Sequence, residues 1–111
     1  MRQRVALART LMEDTPVVLM DEPFSALDAI TKYHLQALAA RLLANRTVLL
    51  ITHDPMEALR IGHEIHVLSG SPAQLSGPIR PAGKIPRDPT NDELKTHYSA
   101  IMSALAVSVE G

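Results

Sequence analysis

Residues 17–23 read Val-Val-Leu-Met-Asp-Glu-Pro, and residues 48–54 read Val-Leu-Leu-Ile-Thr-His-Asp. Each segment is an apolar run that stops abruptly at polar and charged residues. A short, continuous apolar run indicates a strand with both faces covered, as in a parallel sheet. Because open α/β sheets bind their ligands beyond the carboxyl ends of the strands, we expect the polar residues after each run to form a site.

A helical pattern connects the two runs. Asp28 can cap a helix over roughly residues 29–44, and Asn45 is a suitable stop. Three leucines would line one side of this helix: Leu35, Leu38 and Leu42. A strand, a helix and a second strand of these lengths form a βαβ unit, so the sequence predicts an α/β fold with a parallel sheet.

The rest of the chain predicts several further elements. Asp54 and Pro55 begin a short helix that Gly62 ends. Thr90 and Glu93 form a capping box before a C-terminal helix that runs to about residue 107. The other predicted elements are a helix over 2–12, strands over 17–20 and 47–51, a third strand over 64–68, and an edge hairpin or loop in the Pro- and Gly-rich segment 69–89.

Composition limits the class of protein. The chain has 111 residues, 46% of them hydrophobic but only 3% aromatic, so aliphatic side chains and methionine must form its core. A net charge of −1 gives no electrostatic case for nucleic-acid binding. The absence of cysteine excludes disulfides and thiolate metal sites. No apolar run approaches the roughly 20 residues that cross a bilayer, so we expect no direct membrane insertion.

Asp21 and Glu22 are the first candidates for chemistry. A strand-end carboxylate suits Mg²⁺, which prefers oxygen ligands and retains several waters, and a second carboxylate can deprotonate an attacking water. Adjacent strand residues point in opposite directions, so the two acids need a backbone turn between them, which Pro23 favours. The alternative is a pair of surface acids. The apolar run before them favours the functional interpretation.

His53 ends the second run and can hydrogen-bond a phosphate oxygen. A single histidine at a strand end is more often structural, but Thr52, Asp54 and the parallel strand that ends at Asp21 favour a functional role. The segment Ser25-Ala26-Leu27-Asp28 is a polar turn, whose role is either helix capping or contact with a second subunit.

Three motifs together resemble the ATP-binding subunit of ABC transporters. Their sequences look most like those of importers of nitrate, sulfonate, taurine or hydroxymethylpyrimidine type. They are residues 1–11 (Met-Arg-Gln-Arg-Val-Ala-Leu-Ala-Arg-Thr-Leu), 17–28 and 48–59. The resemblance covers residues 1 to about 70. It implies a partial P-loop NTPase (RecA-like) parallel sheet with flanking helices.

The resemblance also implies residue roles. Asp21 resembles the Walker B aspartate that binds Mg²⁺ through water, and Glu22 resembles the catalytic glutamate that polarises water. His53 resembles the switch histidine near the γ-phosphate. Ser25 and Asp28 belong to a segment that resembles the D-loop, which faces the other ATPase subunit, and the resemblance implies that Asp21, Ser25 and Asp28 help bind the nucleotide cofactor. The implied ligands are ATP and Mg²⁺.

The sequence departs from the family at several places. It contains no Gly-x-x-x-x-Gly-Lys-[Ser/Thr], the nest of backbone N–H groups that holds phosphates. The Q-loop, the helical subdomain and the signature glycines are absent too. We therefore expect Met1 to be an internal methionine and the chain to be the C-terminal part of a longer protein. Residues 1–70 would be the C-terminal half of the ATPase core, and 71–111 edge strands, a loop and a helix.

The predicted function is that of an ATP-hydrolysing subunit of an ABC importer. Its predicted partners are a second ATPase subunit and a transmembrane permease, which would hold it at the cytoplasmic face of the membrane. Two alternatives remain: a non-catalytic remnant that only contacts other proteins, and an ABC-type ATPase outside transport. The isolated chain should hydrolyse ATP poorly, because the phosphate cradle is not among its residues.

Overall fold

A computed structural model of the chain describes residue 9, residues 15–70 and residues 72–110. Arg9 is helical, and the rest of the helix predicted over 2–12 lies outside the described residues. The described elements are β1 (Val17–Asp21), α1 (Ala29–Leu42), β2 (Thr47–Ile51), α2 (Pro55–Ile61), β3 (Leu68–Ser69), β4 (Gln74–Leu75) and α3 (Asp92–Glu110). The chain divides into two compact units, one ending at His53 and the other beginning at Asp54. The predicted division near residue 70 concerned sequence motifs and stays a prediction.

The first unit contains the parallel pair that the sequence predicts. β1 and β2 pair in register, from Val17 opposite Thr47 to Asp21 opposite Ile51. α1 connects them, and Asp28 caps it by accepting a hydrogen bond from the Thr31 N–H at 2.8 Å. The α/β class with a parallel sheet and flanking helices is therefore confirmed.

Only one face of this sheet is buried. Val18 and Met20 are buried, whereas Val17 is 65% exposed and Leu19 63% exposed. Leu49 and Ile51 of β2 are exposed as well. The expectation that both faces of β1 are covered is therefore wrong, because the described residues cover only the face that carries Val18 and Met20.

The predicted leucine side of α1 is also wrong. Leu42 is exposed and Leu35 and Leu38 are only half-buried, while the buried positions are Gln36, Ala39, Ala40 and Leu43. Apolar residues occur around the whole circumference of this helix. The periodicity therefore does not select one face.

The second unit has its own apolar core. α2 begins at Pro55, is capped by Asp54 and ends at Gly62, as predicted. It packs on α3, and α3 contacts β3. The core consists of Leu59, Ile65, Val67, Leu94 and Ile101.

The third strand predicted over 64–68 is wrong as an extended strand. Ile65 forms an isolated antiparallel bridge with Ile79, and the ladder proper is limited to β3 and β4. Pro78 lies in the partner segment and has no N–H to donate, which interrupts the ladder. The predicted alternation still holds, since Ile65 and Val67 are buried while His66 is exposed.

The capping box predicted from Thr90 and Glu93 is wrong. Thr90 is already engaged, because its N–H and hydroxyl both donate to Asp88 Oδ1, at 2.9 and 2.7 Å. Asn91 takes the capping position instead and accepts the Glu93 N–H at 2.8 Å. The Glu93 carboxylate turns to the Ala82 N–H, at 3.4 Å.

A buried arginine ties a loop of the second unit to the end of α2. Arg87 is only 7% exposed, and its guanidinium donates to the carbonyl oxygens of Leu59 at 3.0 Å and Gly62 at 2.6 Å. It also donates to those of Pro81 and Ala82, at 2.8 and 3.0 Å. Burial lowers the pKa of Arg87, and the nearby Glu93 carboxylate acts in the opposite direction. The guanidinium keeps its charge, because its ordinary pKa is so high.

Candidate functional site

The site lies at the carboxyl edge of the β1–β2 pair. Because the two strands are parallel and in register, the residues that follow them leave the sheet side by side. Glu22 follows β1 directly, and His53 follows β2 after Thr52. The Glu22 N–H donates to the Ile51 carbonyl oxygen at 2.8 Å, which extends the ladder by one bond. The backbone of Glu22 is therefore fixed to the neighbouring strand.

Glu22 and His53 contact each other directly. His53 Nδ1 lies 2.5 Å from Glu22 Oε1. The carboxylate accepts and the ring donates, so Nδ1 carries a hydrogen and Nε2 is the nitrogen left for another partner. The His53 side chain is 84% exposed and that of Glu22 is 28% exposed, so the histidine presents its ring to solvent beside a partly sheltered carboxylate.

Glu22 has an uncommon backbone conformation. Its φ is 51°, in the left-handed region that non-glycine residues seldom occupy. This is the turn that the sequence requires between Asp21 and Glu22. Such a conformation costs on the order of 1–3 kcal/mol and is found where surrounding contacts impose it. With this turn, the Glu22 carboxylate reaches His53, which follows the second strand.

Asp21 ends β1 and is exposed. Among the residues that the structure describes, no hydrogen bond or ion pair engages its carboxylate. An exposed, unengaged carboxylate at a strand end fits Mg²⁺ bound through one protein ligand and several waters. Within the described ranges, no group of three or more His, Asp or Glu side chains could hold a metal by itself. A metal here would therefore need oxygen ligands from elsewhere, as phosphates supply.

The segment from Ser25 to Asp28 is organised by its own hydrogen bonds. The Ser25 hydroxyl donates to the Glu22 carbonyl oxygen at 3.1 Å. Asp28 accepts the Thr31 N–H and also the Thr31 hydroxyl, at 2.9 Å from Oδ2. The side chain of Phe24 is fully buried and anchors the segment. The capping role of Asp28 is thus present in the structure, and contact of Ser25 and Asp28 with a second subunit stays a prediction.

Sequence reasoning placed Asp21, Glu22 and His53 at one edge but missed the contact between Glu22 and His53. It treated Glu22 as a base and His53 as a phosphate contact without pairing them. The available signal was that both runs end in polar residues, which a parallel pair places at the same edge of the sheet. The role of Arg87 was missed altogether, because nothing in a Pro- and Gly-rich segment marks one arginine as buried.

No family model matches the chain, but individual proteins do. An uncharacterized ABC transporter ATP-binding protein of Haemophilus influenzae is 48% identical over 107 residues, which cover 94% of this chain and 45% of that protein. The homologues of this chain are therefore ABC transporter ATP-binding proteins, as the motifs predict.

Other relatives belong to importers. The aliphatic sulfonates import ATP-binding protein SsuB 1 of Rhodococcus jostii is 54% identical over 70 residues, 61% of this chain and 29% of that protein. The taurine import ATP-binding protein TauB of Roseobacter denitrificans is 41% identical over 100 residues, 87% of this chain and 37% of that protein. The chain spans less than half the length of each of these relatives. No described helix is long and apolar enough to cross a bilayer.

Proposed function

We propose that this chain supplies the hydrolytic side of an ATP site in the ATPase subunit of an ABC importer. The observation that carries the proposal is the 2.5 Å contact between Glu22 and His53 at the carboxyl edge of a parallel strand pair. Asp21 lies next in the chain to Glu22 and is exposed at the same edge. A base, an imidazole and a metal-binding carboxylate can together support hydrolysis of a phosphoanhydride.

Each residue has a distinct role in the proposed reaction. Glu22 accepts a proton from the water that attacks the γ-phosphorus, while the bond from that phosphorus to the bridging oxygen breaks and ADP leaves. His53 holds the carboxylate through Nδ1, and its Nε2 is the nitrogen that would contact a γ-phosphate oxygen. Asp21 would hold Mg²⁺, which neutralises phosphate charge when it is bound.

The proposed partners follow from the same assignment. A second ATPase subunit would contact the segment Ser25–Asp28, and a transmembrane permease would hold the assembly at the cytoplasmic face of the membrane. The names of the relatives support an importer, since two of them specify import of aliphatic sulfonates and of taurine. We therefore propose organic sulfonates as the substrate class of the complete system.

Two alternatives lead to different expectations. A non-catalytic remnant would keep the D-loop-like segment but would not need an intact Glu22–His53 pair. An ABC-type ATPase outside transport, in DNA repair or translation, would keep the pair but would not work with a permease. The direct Glu22–His53 contact favours hydrolysis over the first alternative, and the importer names of the relatives favour transport over the second.

A chimera tests the proposal. The H. influenzae relative would have its matching 107 residues replaced by those of this chain, so that the rest of the relative supplies the phosphate cradle. We expect ATP hydrolysis by the chimera, a loss of at least about 100-fold in turnover for Glu22→Gln, and retained ATP binding. Glu64→Gln, a matched change at an exposed glutamate outside the site, should leave turnover unchanged. Normal turnover by Glu22→Gln would reject Glu22 as the base.

A further inference from the structure

The conformation of Glu22 needs an explanation beyond its own sequence. Glu22 precedes Pro23, and a residue before proline is disfavoured in compact helical conformations and prefers extended ones. It nevertheless has a φ of 51°. A glutamate at a strand end would ordinarily continue the extended backbone. Contacts around this residue must therefore impose the conformation that points its carboxylate toward His53.

Hydrogen bonds hold Glu22 on both of its peptide groups. On its amino side, the N–H donates to the Ile51 carbonyl oxygen at 2.8 Å. On its carbonyl side, the oxygen accepts from the Ser25 hydroxyl at 3.1 Å and from the Ser25 N–H at 3.4 Å. The 3.4 Å bond is long, so the hydroxyl is the better placed of the two donors. The side chain of Ser25 therefore fixes the direction of the Glu22 carbonyl.

We infer that Ser25 is a positioning residue for Glu22: its hydroxyl holds residue 22 in the left-handed conformation in which the carboxylate meets His53. The inference concerns geometry within this chain, and it rests on the proposed function only for its effect on turnover. In this assignment Ser25 takes no direct part in the bond-breaking step. Its influence passes through the backbone of Glu22.

The tautomer of His53 provides a readout that does not depend on ATP. As long as Glu22 accepts a hydrogen bond from Nδ1, the neutral ring of His53 carries its hydrogen on Nδ1. When His53 is released from Glu22, this preference for the Nδ1–H tautomer is lost. Long-range ¹H–¹⁵N correlation spectra of the full 111-residue chain, recorded above the ordinary imidazole titration range, distinguish the two tautomers. Glu22→Ala defines the spectrum of a released His53.

Four variants make the test specific. Ser25→Ala should shift His53 toward the spectrum of Glu22→Ala, and Ser25→Thr, which keeps the hydroxyl, should restore the wild-type spectrum. Thr31→Val removes the hydroxyl that donates to Asp28 Oδ2 at 2.9 Å, and should leave His53 unchanged. If Ser25→Ala does not fold, Ser25→Cys, a weak donor of similar size, should give a smaller Nδ1–H population than Ser25→Thr.

The outcomes separate this inference from the proposed function. A wild-type His53 spectrum in Ser25→Ala, or an equal shift in Thr31→Val, would overturn the positioning role. In the chimera, Ser25→Ala should lower kcat about tenfold with less than a twofold change in KM for ATP. A shifted His53 spectrum with unchanged turnover would support the positioning role and count instead against the catalytic role of the Glu22–His53 pair.

Discussion

At the scale of single residues, Glu22 combines two features that rarely occur together. Its carboxylate is paired at hydrogen-bond distance, and its backbone adopts a conformation that suits glycine better than glutamate. Strain of this kind persists where the side chain has a task that glycine cannot perform. The local cost and the proposed role in hydrolysis therefore belong to the same residue.

Two substitutions at residue 22 measure this strain. Glu22→Gly and Glu22→Ala both remove the carboxylate, but only alanine keeps a Cβ that clashes at a φ of 51°. We expect the glycine variant to be the more stable of the two by about 1 kcal/mol, the reverse of the usual order in a strand or helix. Urea denaturation of both variants measures the difference. An alanine variant of equal or greater stability would show that residue 22 is not strained.

Arg87 donates to four backbone carbonyl oxygens of the second unit. Arg87→Met keeps the length of the side chain but removes all its bonds to the carbonyl oxygens of Leu59, Gly62, Pro81 and Ala82. We expect a loss of about 3 kcal/mol in the free energy of unfolding, because several of these acceptors would stay buried without donors. Chemical denaturation monitored by circular dichroism measures this loss.

Two further variants show whether geometry or charge is responsible. Arg87→Lys keeps the charge but not the planar fork of donors, so it should recover only part of the stability. Arg80→Met removes an exposed arginine whose contact with Glu64 is 3.4 Å, and its effect should stay within about 0.5 kcal/mol. Equal effects at residues 80 and 87 would contradict the structural role given to Arg87.

At the scale of elements, local signals predict more than periodicity does. The bounds of α2 follow from Asp54, Pro55 and Gly62 because each acts on its immediate neighbours in the chain. The parallel pair β1–β2 follows from two short apolar runs joined by a helical segment of the length that a parallel crossover needs. By contrast, the buried side of α1 and the extent of the third strand depend on partners that are distant in sequence.

The site shows the same limit. Asp21, Glu22 and His53 were expected at one edge because the ends of parallel strands meet there. The φ of Glu22 and its hydrogen bond with Ser25 could not be predicted from the sequence pattern. The capping box failed for a related reason. Asp88 competes for Thr90, and a four-residue motif cannot report a competitor that lies outside it.

The start of α1 distinguishes the two roles of Asp28. Asp28→Asn keeps an oxygen that can accept the Thr31 N–H, so the cap should survive with a change below about 0.5 kcal/mol. Asp28→Ala removes the acceptor and should lower the free energy of unfolding by about 1 kcal/mol. Thermal denaturation of the two variants measures these effects. Equal destabilisation by both changes would mean that charge at residue 28, and not capping, stabilises α1.

The exposed face of the β1–β2 pair predicts self-association. Val17, Leu19, Leu49 and Ile51 form this apolar face, and such faces associate when nothing covers them. We expect concentration-dependent oligomers of the isolated chain in sedimentation velocity, and fewer of them for the double variant Leu19→Thr/Leu49→Thr. Leu75→Thr, at an equally exposed leucine of β4, is the matched control. A monodisperse wild-type monomer would contradict this prediction.

At the scale of the whole molecule, the chain carries the groups proposed for hydrolysis but no Gly-x-x-x-x-Gly-Lys-[Ser/Thr] cradle for phosphates among its 111 residues. Asp21 and Glu22 present negative charge to a negative ligand, so affinity for a triphosphate depends on a bridging Mg²⁺ and on donors from outside this sequence. The proposed catalytic assembly is therefore composite, with its chemistry on one segment and most of its binding energy on another.

This division predicts weak nucleotide binding. We expect the isolated chain to bind a fluorescent ATP analogue, in the presence of Mg²⁺, with a Kd well above the micromolar range. Fluorescence anisotropy measures the affinity, and the full-length H. influenzae relative serves as the positive control. Micromolar affinity in the isolated chain would show that residues 1–111 contain a phosphate-binding element of their own.

The extra rung that Glu22 adds to the sheet has a mechanical consequence. The Glu22 N–H is hydrogen-bonded to Ile51 of β2, so the backbone that carries the carboxylate is held by the sheet. The imidazole of His53, by contrast, is largely exposed to solvent. Separating the two groups requires only rotation of the histidine about its own side-chain bonds, at a cost on the order of one exposed hydrogen bond. A departing phosphate could thus draw the imidazole away and release the carboxylate without disturbing a single strand.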